Sequence, residues 1–220
     1  MLAGASVFSR FRDPVSGLTH LFAAVAAKVG LVVLIVLSWG RLNQLISTAV
    51  YGVSLVLLFA ASATYHLVKA KPEVIARLRK LDHAAIFLLI AGTYTPFCMA
   101  FNGFWRWGLL SIIWSLALLG IVLKMFAMNA PRWISAGVYL VMGWLCIAAV
   151  GEMLRVLPPG AIAWLVAGGV LYSVGAVIYV TKAFNFLPNV FGFHEVWHLF
   201  VMLAAASHYV AIAFYVVPLA

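Results

Sequence analysis

The chain has 220 residues, of which 66% are hydrophobic and only 9% are charged, and its mean hydropathy is +1.13. Soluble domains contain about 45–50% apolar residues, so the composition excludes an ordinary soluble protein and indicates an integral membrane protein. The net charge of +9 does not indicate nucleic-acid binding, because the basic residues neither gather on one amphipathic face nor alternate with aromatic residues for base stacking.

Seven apolar stretches follow one another along the chain, separated by short segments that hold most of the charges. A transmembrane helix needs about 20 predominantly apolar residues, so each stretch is long enough to cross a membrane. This pattern predicts an all-α polytopic membrane protein, a single seven-transmembrane-helix domain over residues 1–220 with a short N-terminal segment, 1–18. The predicted spans are 19–38, 43–67, 82–101, 107–127, 133–153, 161–181 and 194–217.

Basic residues in the connecting segments predict the orientation. Loops on the cytoplasmic side of membrane proteins carry an excess of Lys and Arg. Here the excess lies on the side that holds the N-terminus, which predicts a cytoplasmic N-terminus and, with an odd number of spans, a C-terminus outside. That side holds Arg10, Arg12, Lys69, Lys71, Arg77, Arg79, Lys80, Lys124, Arg132 and Lys182, whereas the other holds Arg41, Arg106 and Arg155.

Ionisable residues gather at one depth of the predicted bundle. Such residues are costly inside a membrane and usually mark function, and here they come from four spans that are far apart in sequence. The topology places all of them near the cytoplasmic face: His20, His66, Asp82, His83, His194 and His198.

The spacing of these residues predicts a metal site. Residues four apart on a helix differ by about 40° in azimuth and about 6 Å in height, so His194 and His198 share a face, and Ser62 and His66 repeat that spacing. If spans 2, 3 and 7 pack together, His66, His194 and His198 supply three nitrogens and leave a fourth position open, the pattern of catalytic zinc. Asp82 would then hold or deprotonate a water molecule.

The same histidines are compatible with other interpretations. The cluster as a whole is also compatible with a polar network or a proton relay without metal. His83 points about 100° away from Asp82, which favours a structural role, and His20 is equally compatible with either role. His208 lies about 15 Å beyond His198 toward the middle of the bilayer, where it lines a cavity or bonds to a backbone carbonyl; the structural role is favoured.

Four stretches of the sequence resemble the hemolysin III family, the bacterial branch of the progestin and adipoQ receptor family. They are D13-P-V-S-G-L-T-H20, S62-A-T-Y-H66, L81-D-H-A-A-I-F-L-L-I-A-G-T-Y-T-P-F97 and H194-E-V-W-H198. The resemblance runs from about residue 13 to the C-terminus. The first family motif usually reads Glu, Asn three residues on, and His four further, whereas this chain has Asp13, Ser16 and His20.

This resemblance implies a zinc ion near the cytoplasmic face, one per chain, held by the residues that match the three histidines of adiponectin receptors: His66, His194 and His198. It implies that Asp82 is the family aspartate and Ser62 the family serine. It also implies a bacterial inner-membrane location and a link to alkaline ceramidases, which hydrolyse lipid amides. Residues expected to support the metal ligands are His20, Asp13, Ser16, Tyr65, His83 and His208.

The resulting hypothesis is a zinc-dependent hydrolase of a lipid amide or ester, with Asp82 handling the proton and Ser62 orienting the water or stabilising the oxyanion. The alternative is a non-enzymatic lipid sensor with a structural zinc. A pore-forming hemolysin ranks below both, because seven apolar helices do not resemble a secreted toxin, and a proton-driven transporter would need histidines that titrate without metal. A retinal protein is excluded, because span 7 contains no lysine for a Schiff base.

Overall fold

A computed structural model describes residues 10–126, 130–187 and 190–219. Within these ranges seven long helical spans are apolar enough to cross a membrane, which confirms the predicted all-α bundle. The helices are α1 (Pro14–Leu37), α2 (Leu42–Leu67), α3 (Pro72–Ala100), α4 (Gly103–Phe126), α5 (Arg132–Trp144), α6 (Val150–Val156), α7 (Pro159–Thr181) and α8 (Phe193–Ala211). Half of the predicted N-terminal segment, residues 1–9, lies outside the described residues.

The third helix begins ten residues before the predicted span. Pro72 stands in its first turn, where the missing N–H needs no acceptor, and Glu73 places a negative charge at the positive end of the helix dipole. Hydropathy does not detect this extension because it is polar. Asp82 therefore lies about three turns inside α3, where the rigid helix fixes the position of its side chain. Similarly, α1 begins at Pro14 rather than at residue 19.

Span 5 is interrupted near its middle, where a 3₁₀ turn over Leu145–Ala149 separates α5 from α6. The Tyr94 hydroxyl of α3 stabilises the interruption. It lies 2.9 and 2.8 Å from the carbonyl oxygens of Met142 and Gly143, and it accepts the backbone N–H of Cys146 at 2.8 Å. One side chain thus satisfies backbone groups that a continuous α-helix would have paired internally.

Neighbouring helices pack in chain order from α1 to α4, α7 packs on α8, and α8 closes back on α1, while α5 lies against α7 and α3. The approach of α2 and α3 is close, since a Cβ at Gly92 would collide with the Ser54 hydroxyl. This tight contact fixes the relative position of Ser62 on α2 and Asp82 on α3. Large apolar side chains point outward from all seven spans, as lipid contact requires.

Candidate metal centre and cavity

Three histidine side chains converge at one end of the bundle, which we call the histidine end. His66 stands in the last turn of α2, and His194 and His198 stand in the first two turns of α8. The Nε2 atom of His194 lies 3.3 Å from Nε2 of His66 and 3.2 Å from Nε2 of His198. Each residue offers a ligand nitrogen within 4.8 Å of the other two, so the predicted three-histidine set is close enough to bind one metal ion.

The protonation of these nitrogens fits a cation better than a chain of hydrogen bonds. Nδ1 of His66 lies 3.1 Å from Oδ2 of Asp13, so this nitrogen carries the proton and Nε2 of His66 presents a lone pair. A neutral imidazole has one donor nitrogen, and Nε2 of His194 cannot donate to both of its neighbours at once. Buried lone pairs that face one another are stabilised by a positive ion between them.

The segment before α1 docks onto the end of α2 and holds His66 from behind. The backbone N–H of Asp13 donates to the carbonyl oxygen of His66 at 2.8 Å, and Arg12 pairs with Oδ2 of Asp13 at 3.0 Å. Partial burial alone would raise the pKa of Asp13, but the hydrogen bonds from His66 and Arg12 and the nearby Arg12 charge outweigh it and lower that pKa below its ordinary value. A carboxylate behind a metal-ligating histidine fixes the ring orientation and raises its basicity.

Glu195, between the two histidines of α8, was missed in the sequence. Its Oε2 accepts the backbone N–H of Gly192 at 2.8 Å, which caps the start of α8, and its Oε1 accepts the hydroxyl of Ser16 at 2.8 Å. One carboxylate therefore joins α1 to the helix that carries His194 and His198. The G192-F-H-E195 spacing, with an acid three residues after the cap, is the available signal for this role.

His20 lies beside the cluster without joining its ligand atoms. Its ring stacks on His198, with centroids 3.8 Å apart and planes at 21°, and it meets Phe59 edge-on at 5.1 Å. The residue is buried, and neither ring nitrogen has a hydrogen-bond partner among the described residues. Its contact with His198 means that it packs the ring of a candidate ligand.

A cavity of about 400 Å³ extends from the histidine end into the bundle between α2, α3, span 5, α7 and α8. Its wall is mainly apolar, which suits a lipid chain, and its size is typical of ligand-binding sites. The Ser62 hydroxyl faces the Asp82 carboxylate at this wall. His194 and His198 line the same cavity, so two of the three candidate metal ligands and the candidate proton acceptor face one space.

The remaining predicted residues occupy separate positions around this cavity. Nδ1 of His83 lies 3.4 Å from the Tyr139 hydroxyl. Nε2 of His208 lies 3.1 Å from the carbonyl oxygen of Leu165, and the same residue lines the cavity, so both of the alternatives for this histidine are found together. Tyr65 packs edge-on against the His66 ring at 4.6 Å and carries the Arg12 guanidinium 4.1 Å above its own ring.

The family model described as Haemolysin-III related matches residues 8–209. The chain belongs to the haemolysin III family. It is 38% identical to Hemolysin-3 of Bacillus cereus over 210 residues, which cover 93% of this chain and 92% of the relative. It is 36% identical to the Hemolysin-3 homolog of Bacillus subtilis (strain 168) over 214 residues, 96% of this chain and 97% of the relative.

A more distant relative of this haemolysin III protein is the human Monocyte to macrophage differentiation factor. It is 30% identical over 209 residues, which cover 88% of this chain and 80% of the relative. These similarities confirm the hemolysin III family that the sequence motifs predicted.

Proposed function

We propose that this protein is a zinc-dependent hydrolase that cleaves an amide or ester bond of a membrane lipid. The observation that carries the proposal is the convergence of His66, His194 and His198 beside a mainly apolar cavity, which is lined by His194, His198 and Asp82. The abundance of basic residues at the histidine end and the Bacillus relatives favour a bacterial inner membrane with this end facing the cytoplasm.

Three imidazole nitrogens without a thiolate suit zinc, and a set of three protein ligands leaves one coordination position for water or substrate. When bound, zinc lowers the pKa of coordinated water to about 7 and polarises a carbonyl group. Asp13 supports this assignment because its contact with Nδ1 keeps the proton on that nitrogen and orients the His66 ring, so that the lone pair of Nε2 faces the other two histidines.

The other residues of the site have roles that follow from their positions. Asp82 accepts the proton of the attacking water and returns it to the leaving group. Ser62, whose hydroxyl faces this carboxylate, orients Asp82 toward the cavity. The apolar wall holds the lipid chain out of water, so that the scissile bond stays at the histidine end.

Metal content tests the first half of the proposal. Elemental mass spectrometry of detergent-purified protein is expected to find about one zinc per chain in the wild type, and none in His198→Ala. His208→Ala is the matched control, since its ring bonds to a backbone carbonyl outside the cluster, and we expect it to keep the metal. Absence of metal from a folded wild type would refute the zinc site, and the hydrolase with it.

Turnover tests the second half. We expect the zinc-loaded protein to hydrolyse at least one class in a panel of lipid amides and esters, and Asp82→Asn to keep its zinc while kcat falls by about 10²–10⁴-fold, the usual contribution of an acid–base group. A zinc-loaded wild type that hydrolyses none of these lipids, or an Asp82→Asn variant with undiminished kcat, would contradict the catalytic role.

A lipid sensor with a structural zinc is the second candidate. The interruption of span 5 favours it, because Gly143 and Cys146 at the interruption line the cavity, so that a bound lipid contacts a helix that already departs from regular geometry. In a sensor, Asp82→Asn would leave the cellular response to lipid composition intact. The name hemolysin of the relatives suggests a pore-forming role, which leakage from dye-loaded liposomes would test.

A further inference from the structure

Two arginines line the cavity at its histidine end. Arg79 projects from the polar N-terminal part of α3, and Arg132 is the first residue of α5. Within the described residues neither guanidinium lies in an ion pair, since the pairs there join Arg12 and His66 to Asp13 and Arg155 to Glu152. The orientation of the protein in the membrane explains basic residues at this end, but it does not explain why these two face the cavity.

Aromatic rings hold Arg132 next to the candidate metal ligands. Its guanidinium carbon lies 5.3 Å from the ring centroid of Tyr179 and 5.2 Å from that of Phe193. Phe193 directly precedes His194, and the Tyr179 ring lies 5.9 Å from the His194 ring. Stacking on ring faces leaves the N–H donors of a guanidinium available for an anion.

Lys124 adds a buried positive charge behind this end of the cavity. Its side chain is 7% exposed, and its Nζ donates to the hydroxyl of Ser135 at 2.6 Å. Ser135 itself lines the cavity, and in the described parts of the chain Lys124 has no carboxylate within ion-pair distance. A buried cation without a counter-charge is costly, and an anion bound nearby would remove part of that cost.

We propose that this end of the cavity binds the phosphate of an anionic glycerophospholipid, with an acyl chain in the apolar part. Guanidinium forks match the oxygen geometry of phosphate. The two arginines at the opening, with Lys124 behind them, disfavour a zwitterionic headgroup that carries its own positive charge. The ester groups of such a lipid stand a few bonds from its phosphate. As a substrate class this rests on the proposed function, although the binding itself does not require hydrolysis.

Native mass spectrometry on the zinc-loaded protein tests this binding. Phosphatidylglycerol competes with phosphatidylcholine of identical acyl chains, and we expect the wild type to prefer phosphatidylglycerol about tenfold, the effect of roughly one charge-assisted hydrogen bond. Arg79→Gln/Arg132→Gln should abolish this preference. Arg79 and Arg132 are exposed as well as lining the cavity, so Lys71→Gln/Arg77→Gln, which removes the same charge from exposed side chains outside the cavity, is the matched control and should retain the preference. Zinc content reports that each variant is folded.

Three results would overturn the proposal. The first is equal binding of the two lipids by the wild type, and the second is an equal loss of preference in both double variants. The third is displacement of phosphatidylglycerol by inorganic phosphate at comparable concentration, a result that would assign the basic site to a free anion. Lipid hydrolysis without headgroup preference would remove this inference alone. Headgroup preference in a zinc-loaded protein without turnover would remove the hydrolase alone.

Discussion

Replacing Asp13 by Asn is expected to weaken zinc binding about tenfold. Residues that hydrogen-bond the other ring nitrogen of a metal-ligating histidine typically contribute about 10–100-fold to metal affinity. Two features place Asp13 at the lower limit: its side chain is 44% exposed, and Arg12 already contacts the same carboxylate oxygen at 3.0 Å. An Asn oxygen still accepts the proton of His66 Nδ1, so the ring orientation survives while the charge is lost. Tenfold corresponds to about 1.4 kcal/mol.

Competition with a fluorescent zinc chelator measures this affinity in purified protein. Glu73→Gln is the matched control, because it removes one carboxylate from the exposed first turn of α3, and we expect it to leave the zinc Kd unchanged. Asp13→Ala, which removes the acceptor as well as the charge, should approach a hundredfold loss. An unchanged Kd for both Asp13 variants would refute the idea that this carboxylate orients His66.

Two further predictions concern the packing that positions the site. Gly92→Ala should destabilise the protein by about 1–3 kcal/mol, because its Cβ would collide with Ser54 on α2. Gly137→Ala is the control and should not lower the Tm, since a Cβ at this position meets nothing within 4 Å. Thermal unfolding in detergent compares the two variants. Tyr94→Phe should cost about 1–3 kcal/mol in the same assay, because the part-buried N–H of Cys146 loses its acceptor. An unchanged Tm would mean that the interruption of span 5 does not depend on this hydroxyl.

The sequence was sufficient to predict the three-histidine set because two independent regularities coincide there. The four-residue spacing of His194 and His198 places both rings on one face of a helix, and the distribution of basic residues places His66 at the same depth. The structure brings these three side chains together. The catalytic roles of Asp82 and Ser62 stay predictions, although both residues line the same cavity as His194 and His198.

Interactions between distant segments account for what the sequence did not predict. The stretch L145-C-I-A-A149 contains no glycine or proline, and its 3₁₀ turn is stabilised by the hydroxyl of Tyr94, about fifty positions earlier. From the sequence, Arg79 and Arg132 indicate only the orientation, since a basic residue near a span end satisfies the positive-inside rule whichever way its side chain points. Only the packing of α3 against α5 determines that both face the cavity.

The support of the histidine cluster comes largely from the start of α1. Asp13 holds His66 on α2, Ser16 holds Glu195 at the start of α8, and His20 stacks on His198. A single short stretch thus contacts candidate ligands on both α2 and α8, although His66 and His194 lie 128 residues apart in sequence. Because a metal bound to both helices stabilises the arrangement in which they meet, the docking of α1 and the binding of the metal should favour each other. The D13-P-V-S-G-L-T-H20 motif is then explained by the geometry of the ligands it braces, even though none of its residues belongs to the three-histidine set itself.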